Sequence, residues 1–270
     1  MAISILILVY NVNFECLLYI MITQLVSIIT PTFNSRKFIG ETYQSLLMQS
    51  HQHWEWIVVD DFSSDGTRDW LLEKAEMDSR IVVLFNDSNQ GAGLSRNKAI
   101  GEAKGRYIAF VDADDMWKEN KLETQLKFMT ENDLDLCYSS YDVINVESDL
   151  LSTRIAPATV SYRSLLKCNE IGCLTAIFDT TRLGKVFMPK LRKRQDLALW
   201  LMLLKLGAKA GGVVDSLACY RVGVSSLSSN KYKVLPYQWA VYRQCEKLSY
   251  IKSCYYFTAY AWNGLYRYYR

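Results

Sequence analysis

The chain has 270 residues with 31 Lys and Arg, 28 Asp and Glu and a formal net charge of +3, and half of its residues are apolar. Such a chain can bury a substantial core, which excludes disorder as its main state. With 22% charged residues and few Gly and Pro, it is neither collagen-like nor low-complexity.

Residues 1–22 are apolar except for Ser4, Asn11, Asn13 and Glu15, long enough to raise a membrane span or a signal sequence. No Lys or Arg precedes Arg36, and polar groups interrupt the middle of the segment, which argues against both. The expectation is a translated leader ahead of a start at Met21, with a peripheral hydrophobic anchor second and a true membrane span third.

Regular patterning begins with LVSIIT at 25–30, an apolar, β-branched strand ended by Pro31. A helix over 38–48 follows. The segment EWIVVDD at 55–61 predicts a second buried strand running into two acids, and SSDGT at 63–67 offers turn and cap chemistry for a helix through Met77. IVVLF at 81–85 is a third strand, 91–104 a helix, and RYIAFVDADD at 106–115 a fourth strand ending in acids. Strands then fall at 134–144, 173–178 and 211–220, with a helix over 196–206. This alternation predicts an α/β fold with a mostly parallel sheet flanked by helices. No internal repeat and no Pro-, Gly- or Ser-rich linker divides it.

In open α/β sheets sites lie at the carboxyl ends of strands. Three of the first four strands end in suitable residues: Pro31-Thr32, Asp60-Asp61 and Asp112 to Asp115. If the last segment stays extended, Asp112 and Asp114 share a face while Asp115 points elsewhere. Two carboxylates on one face make a hard oxygen site suited to Mn²⁺ or Mg²⁺ with the phosphates of a nucleotide diphosphate. Other chemistries are short of parts. The seven cysteines form no C-x-x-C pair and are odd in number, which points to a reducing compartment. The two histidines, His51 and His53, cannot supply a His-rich zinc site and read as structural or solvent-exposed. In GAGLSR at 91–96, Arg96 stands at the third glycine position of a dinucleotide fingerprint, so that reading is set aside.

The stretches VSIITPTFN at 26–34, WIVVDDFSSDGT at 56–67, NQGAGLSRNKAIGEAKGRYIAFVDADD at 89–115 and RQDLALWL at 194–201 together resemble family 2 of the inverting glycosyltransferases. The resemblance runs from Val26 to about Tyr220. It implies a GT-A fold and transfer of a sugar from a nucleotide donor, usually a UDP-sugar, with inversion at the anomeric carbon. It also implies roles: Pro31 lends backbone contacts to the nucleobase, Asp61 bonds the uracil ring, Arg96 faces the nucleotide, Asp112 and Asp114 are the metal-binding D-x-D pair, and Asp196 is the catalytic base. The chemistry agrees. Uracil N3–H seeks a carboxylate, and an inverting attack needs one carboxylate to take the acceptor's proton. Asp196 also reads as a first-turn acid facing a helix dipole, a role that coexists with the first.

The domain expectation is a catalytic unit over 23–225, with a nucleotide-binding half to residue 115 and an acceptor half from 116, then a helical tail over 226–270. Within KLRKR at 190–194, Arg192, Lys193 and Arg194 are expected either to be solvated or to grip a polyprenyl-diphosphate-linked sugar acceptor. From Lys231 onward seven basic residues face one acid, and ten of the eighteen tyrosines lie there. Aromatics beside basic residues fit a peripheral membrane contact, or else a helix packed on the catalytic unit. By analogy within the family, the expected reaction moves glucose or galactose in β linkage onto GlcNAc- or GalNAc-diphosphoundecaprenol at the cytoplasmic membrane face, for surface polysaccharide such as O-antigen. A nucleic-acid partner is not expected. A nucleotidyltransferase is the alternative, weakened because TPTFNSRKF at 30–38 has no glycine, and a silent nucleotide-sugar-binding module is another.

Overall fold

The computed structural model of the chain describes residues 24–223 and 234–266. The leader expected over 1–22, and Lys231, Lys233, Arg267 and Arg270 of the tail, lie outside the described residues.

The elements in chain order are β1 (Val26–Thr32), α1 (Ile39–Leu47), β2 (Trp54–Asp60), α2 (Thr67–Met77), β3 (Ile81–Phe85), α3 (Ala92–Glu102), β4 (Tyr107–Phe110), β5 (Met116–Trp117), α4 (Lys121–Glu131), β6 (Leu136–Ile144), β7 (Leu150–Arg154), α5 (Tyr162–Lys167), a 3₁₀ turn (Cys173–Thr175), β8 (Ile177–Asp179), α6 (Thr180–Leu183), α7 (Gln195–Lys205), β9 (Ala210–Arg221), α8 (Leu235–Ala240), a π turn (Val241–Cys245) and α9 (Tyr250–Tyr266). They build one mixed sheet in the order β3-β2-β1-β4-β8-β6-β9-β5, with β7 also on β6. The half from β3 to β4 is parallel. Beyond β4 the pairings are antiparallel except β6 with β9.

Strands β1 and β2 are buried along their whole length because helices cover both faces. Alternation sorts their side chains into two cores. Ile29, Ile57 and Val59 join α3, α5, α7 and the tail on one face. Ile28, Trp56 and Val58 join α1, α2 and α4 on the other. Trp56 stacks on Tyr43 with ring centroids 5.5 Å apart and donates its Nε1–H to Thr30 Oγ1 at 2.8 Å, so its one polar atom is satisfied inside the second core.

Two elements depart from expectation at the edge that matters. Strand β1 does not stop at Pro31 but runs through it to Thr32, which pairs with Asp60. The Ile29 carbonyl accepts from Val111 N–H, so by alternation Pro31 also faces the β4 side. Strand β4 has ended there at Phe110, so the missing proline N–H costs no ladder bond. The acid segment is likewise no longer strand. Asp115 N–H bonds the Asp112 carbonyl at 3.1 Å and closes a turn, so Asp112 and Asp114 do not share a face through strand alternation.

Candidate active site

The carboxyl ends of β1, β2 and β4 converge with the starts of α3 and α7. Asp61, just past β2, is buried, and its carboxylate accepts from Asn86 Nδ2 (2.8 Å), Gln90 N–H (2.9 Å) and Gly91 N–H (2.7 Å). It thereby caps the approach to α3, where a negative charge suits the helix dipole. Gly91 takes φ +90°, a conformation that a side chain would strain. Three of roughly four acceptor sites on Asp61 are thus spent within the protein. The neighbouring Asp60 accepts from Ser63 N–H through Oδ2 (3.1 Å), and its Oδ1 is buried with no partner among the described residues.

Arg96 lies on α3, almost fully buried, and forms an ion pair with Asp112. Burial alone would lower the pKa of its guanidinium. The nearby Asp112 carboxylate, with Cys173 and Asp196, reverses that and holds it above its ordinary value. Arg96 is therefore paired with the acid turn and within electrostatic reach of Asp196 at the start of α7. Burial first, and the Asp112 carboxylate second, push Asp114 up to about 6. Asp115 is held by β9: its Oδ1 accepts from Arg221 N–H at 2.9 Å, and burial together with Asp114 and Asp112 raises its pKa well above the usual carboxylate range.

Asp196 sits in the first turn of α7, after Arg194, which adopts a left-handed φ of +65°. Its Oδ2 accepts from Asn169 Nδ2 at 3.0 Å. A Cβ on Gly93 would lie 3.2 Å from Gln195 Cγ, so the starts of α3 and α7 abut and only a residue without a side chain fits easily between them. The structure thus gathers Asp61, Arg96, Asp112, Asp114 and Asp196 at one edge of the sheet, with Pro31 on the adjoining strand. The basic cluster divides. Arg192 leans toward the α3 approach, with Nη2 3.2 Å from Asn89 Oδ1. Arg194 turns to the tail, donating to the Tyr260 hydroxyl with its guanidinium 5.2 Å from that ring. Its Nε is buried and unpartnered among the described residues. Lys193 also holds an interaction of its own.

Several residues of this edge escape sequence reasoning. Asn86, one past β3, holds Asp61 and also Ser95 Oγ (3.0 Å), and the rule of strand ends points to it. Arg221, the last residue of β9, braces the acid turn by donating from Nε to the Asp114 carbonyl (3.0 Å) and from Nη2 to Glu41 (2.6 Å). Asn169 and Cys173 come from irregular segments with no local signal.

Among the described residues no three His, Cys, Asp or Glu side chains form a ready group of metal ligands. The donors that are present still fit a hard divalent cation sharing its shell with a diphosphate. They are carboxylates, and the repulsion that raises Asp114 is what a cation would relieve.

The fold is GT-A-like. It aligns over 87% of this chain and 71% of the crystallised S. aureus TarS 1-349 in complex with UDP-GlcNAc, at a TM-score of 0.66 and 23% identity. At the sequence level the chain is 46% identical over 242 residues to TuaG of Bacillus subtilis (strain 168), a glycosyltransferase named for teichuronic acid biosynthesis, covering 89% of this chain and 96% of that protein. It is 43% identical over 220 residues to the Escherichia coli UDP-Glc:alpha-D-GlcNAc-diphosphoundecaprenol beta-1,3-glucosyltransferase WfgD, covering 80% and 85%. The description "Glycosyl transferase family 2" matches residues 27–185, and the chain belongs to that family. The match ends before Asp196, so the role of that residue is argued from its geometry.

Proposed function

We propose that the protein is a metal-dependent inverting hexosyltransferase that moves glucose, or failing that galactose, from a UDP-sugar to GlcNAc- or GalNAc-diphosphoundecaprenol in β linkage, at the cytoplasmic membrane face. Residues 23–115 would serve the donor and residues 116–225 the acceptor. Membership of the family removes the nucleotidyltransferase alternative. The observation that carries the reading is the junction of α3 with α7, where Gly93 meets Gln195 and Arg96 pairs with Asp112, so that donor-side Asp112 and acceptor-side Asp196 both lie within electrostatic reach of one guanidinium. WfgD supports the choice of donor and acceptor by its name.

Asp114 and Asp112 would hold Mn²⁺ or Mg²⁺, which when bound offsets charge on the departing diphosphate. The rest falls to the chain. Asp61 keeps the loop before α3 in place, and its one remaining acceptor site would serve the base edge, with Pro31 on the adjoining strand. Asp196 takes the proton of the attacking hydroxyl, which approaches opposite the diphosphate, so an α-linked donor yields a β product. Arg192 and Lys193 lie on the segment that an acceptor diphosphate would meet. The test is UDP release from a panel of UDP-sugars, with and without Mn²⁺, using synthetic GlcNAc- and GalNAc-diphosphate lipids. Turnover with UDP-glucose that is lost on chelation is expected, and silence across the panel despite UDP binding would overturn the reading.

No helix of the described residues is long and apolar enough to cross a membrane. Helix α9 offers a peripheral contact instead. Ile251, Tyr255 and Trp262 recur at helical spacing and are 82%, 58% and 72% exposed. Lys167 stands 5.9 Å from the Tyr255 ring, exposed Lys252 lies on the same helix, and α9 carries no acid. An exposed apolar stripe with basic neighbours fits an anionic lipid surface. Replacing Ile251, Tyr255 and Trp262 together with Ser should weaken co-sedimentation with phosphatidylglycerol-containing vesicles by about tenfold or more, with UDP affinity unchanged. Equal binding by the triple variant would show that the membrane contact lies elsewhere.

A further inference from the structure

We propose that Asn169 is a positioning residue for Asp196, an assignment that rests on reading Asp196 as the base. A carboxylate only accepts hydrogen bonds, so the amide nitrogen of Asn169 must face it, and Nδ2 lies 3.0 Å from Asp196 Oδ2. That orientation leaves Asn169 Oδ1 buried and without a partner among the described residues. An amide that gives up one hydrogen bond to make another is being held for the one it makes.

The segment that carries Asn169 is itself anchored. Helix α5 opens on a capping box at Ser161, Leu165 and Leu166 are fully buried, and Cys168 N–H bonds the Ser164 carbonyl at 3.0 Å. The tail fixes it from the other side: Tyr242 donates its hydroxyl to the Leu166 carbonyl at 2.5 Å, and Asn263 Nδ2 to the Lys167 carbonyl at 3.3 Å. Asn169 thus projects from a braced segment rather than from a free loop.

What the bond prevents is visible in the surroundings of Asp196. The groups within electrostatic reach of it are Arg96 from α3 and Cys173 from the 3₁₀ turn, and Arg96 in turn pairs with Asp112 of the acid turn. Arg96 is a buried cation whose Nε has no partner among the described residues. A carboxylate released from Asn169 has every electrostatic reason to swing onto that guanidinium. There its charge is spent on an ion pair and its oxygens are unavailable to a hydroxyl. With Oδ2 tied to Asn169, Asp196 stays off Arg96 and keeps Oδ1 for the acceptor. The effect is on chemistry and not on donor binding.

The test compares Asn169→Ala, Asn169→Asp and Asn169→Ser with Asp196→Asn, reading kcat, the KM for UDP-glucose and UDP affinity by calorimetry. Asn169→Ala should lower kcat by about 10- to 100-fold with KM and UDP affinity within about twofold. Asn169→Asp keeps the shape but loses the donor and adds a like charge, so it should lose at least as much, whereas Asn169→Ser keeps a hydroxyl donor and should recover part of the loss. If Asn169→Asp retains full kcat, shape alone matters and the proposal fails. If any of the three Asn169 variants loses UDP affinity in step with kcat, the residue supports the fold and not the base, and the proposal fails again. Retained turnover in Asp196→Asn would instead overturn the reading of Asp196 itself, so the two failures are told apart.

Discussion

Asp196→Asn is expected to lower kcat by about 10²- to 10⁴-fold, the usual worth of a general base, while UDP affinity stays within about twofold. The substitution keeps the shape and can still accept from Asn169 through its amide oxygen, so the start of α7 should hold. Arg96 loses one of the negative neighbours that keep it charged but retains its ion pair with Asp112, so the donor side of the site should stay in place. The loss then falls on the one step that needs a proton acceptor. UDP release and UDP calorimetry on the same preparation check both halves. Turnover at the wild-type rate would mean that another group takes the proton, and it would favour a module that binds nucleotide-sugar without using this acid.

The parallel half of the sheet was readable because β1, β2 and β4 are buried along their whole length and β3 is at least half-buried. A continuous β-branched run has one physical explanation there, and the third strand falls on 81–85 in both sequence and structure. The helices expected over 38–48 and 196–206 shift by no more than a residue at each end. Other elements carry no such signal. Strand β7 is exposed at every position, so no burial pattern marks it. It forms because the chain turns back at Asn145, whose N–H bonds the Asp149 carbonyl at 3.0 Å, and pairs with β6. Strand β5 is two residues long and exists through its pairing with β9. The segment expected as one strand over 173–178 opens as a 3₁₀ turn because Thr175 bonds back to the Gly172 carbonyl through both N–H and Oγ1.

The same division runs through the site. Acids at strand ends are a local pattern, so Asp60, Asp61 and Asp112 to Asp115 could be read directly. What arranges them is distant in sequence. Arg221 reaches Glu41 across 180 positions and the Asp114 carbonyl across 107, contacts that no spacing encodes. The turn at Asp112 to Asp115 could not be foreseen from alternation, because β9 and α1 hold it: Arg221 N–H bonds the Asp115 carboxylate, and Thr42 Oγ1 bonds the Asp115 carbonyl at 2.8 Å.

Lys121→Met should remove a rise in stability that the wild-type protein shows between pH 7 and pH 9. Lys121, the first residue of α4, is fully buried in the core that holds Trp117 and Leu122. Its Nζ donates to Gln125 Oε1 at 2.5 Å and lies 4.2 Å from the centre of the Trp117 ring, and no carboxylate pairs with it among the described residues. Burial pushes the pKa of its ammonium down to about 7 from the ordinary 10.5. Above pH 7 the folded protein has released this proton while the unfolded chain still holds it, so the unfolded state binds more protons and stability climbs with pH. Two pH units in that window are worth about 2–3 kcal/mol from this group. The buried thiol of Cys137, raised to about 11 from the ordinary 9.0, works against folding from near pH 9 upward, as the unfolded chain loses its thiol proton first, and it does so in both proteins. Methionine fills a similar volume and carries no proton, so the variant should lack this contribution. At pH 7 it should also be the more stable of the two by about 1–2 kcal/mol, the relief of neutralising a lysine less the cost of leaving Gln125 Oε1 unpaired. Denaturant unfolding of both proteins at pH 7 and pH 9 measures each quantity. Parallel stabilities at the two pH values would mean that Lys121 keeps its charge in the core, with its ammonium held by Gln125 and the face of Trp117.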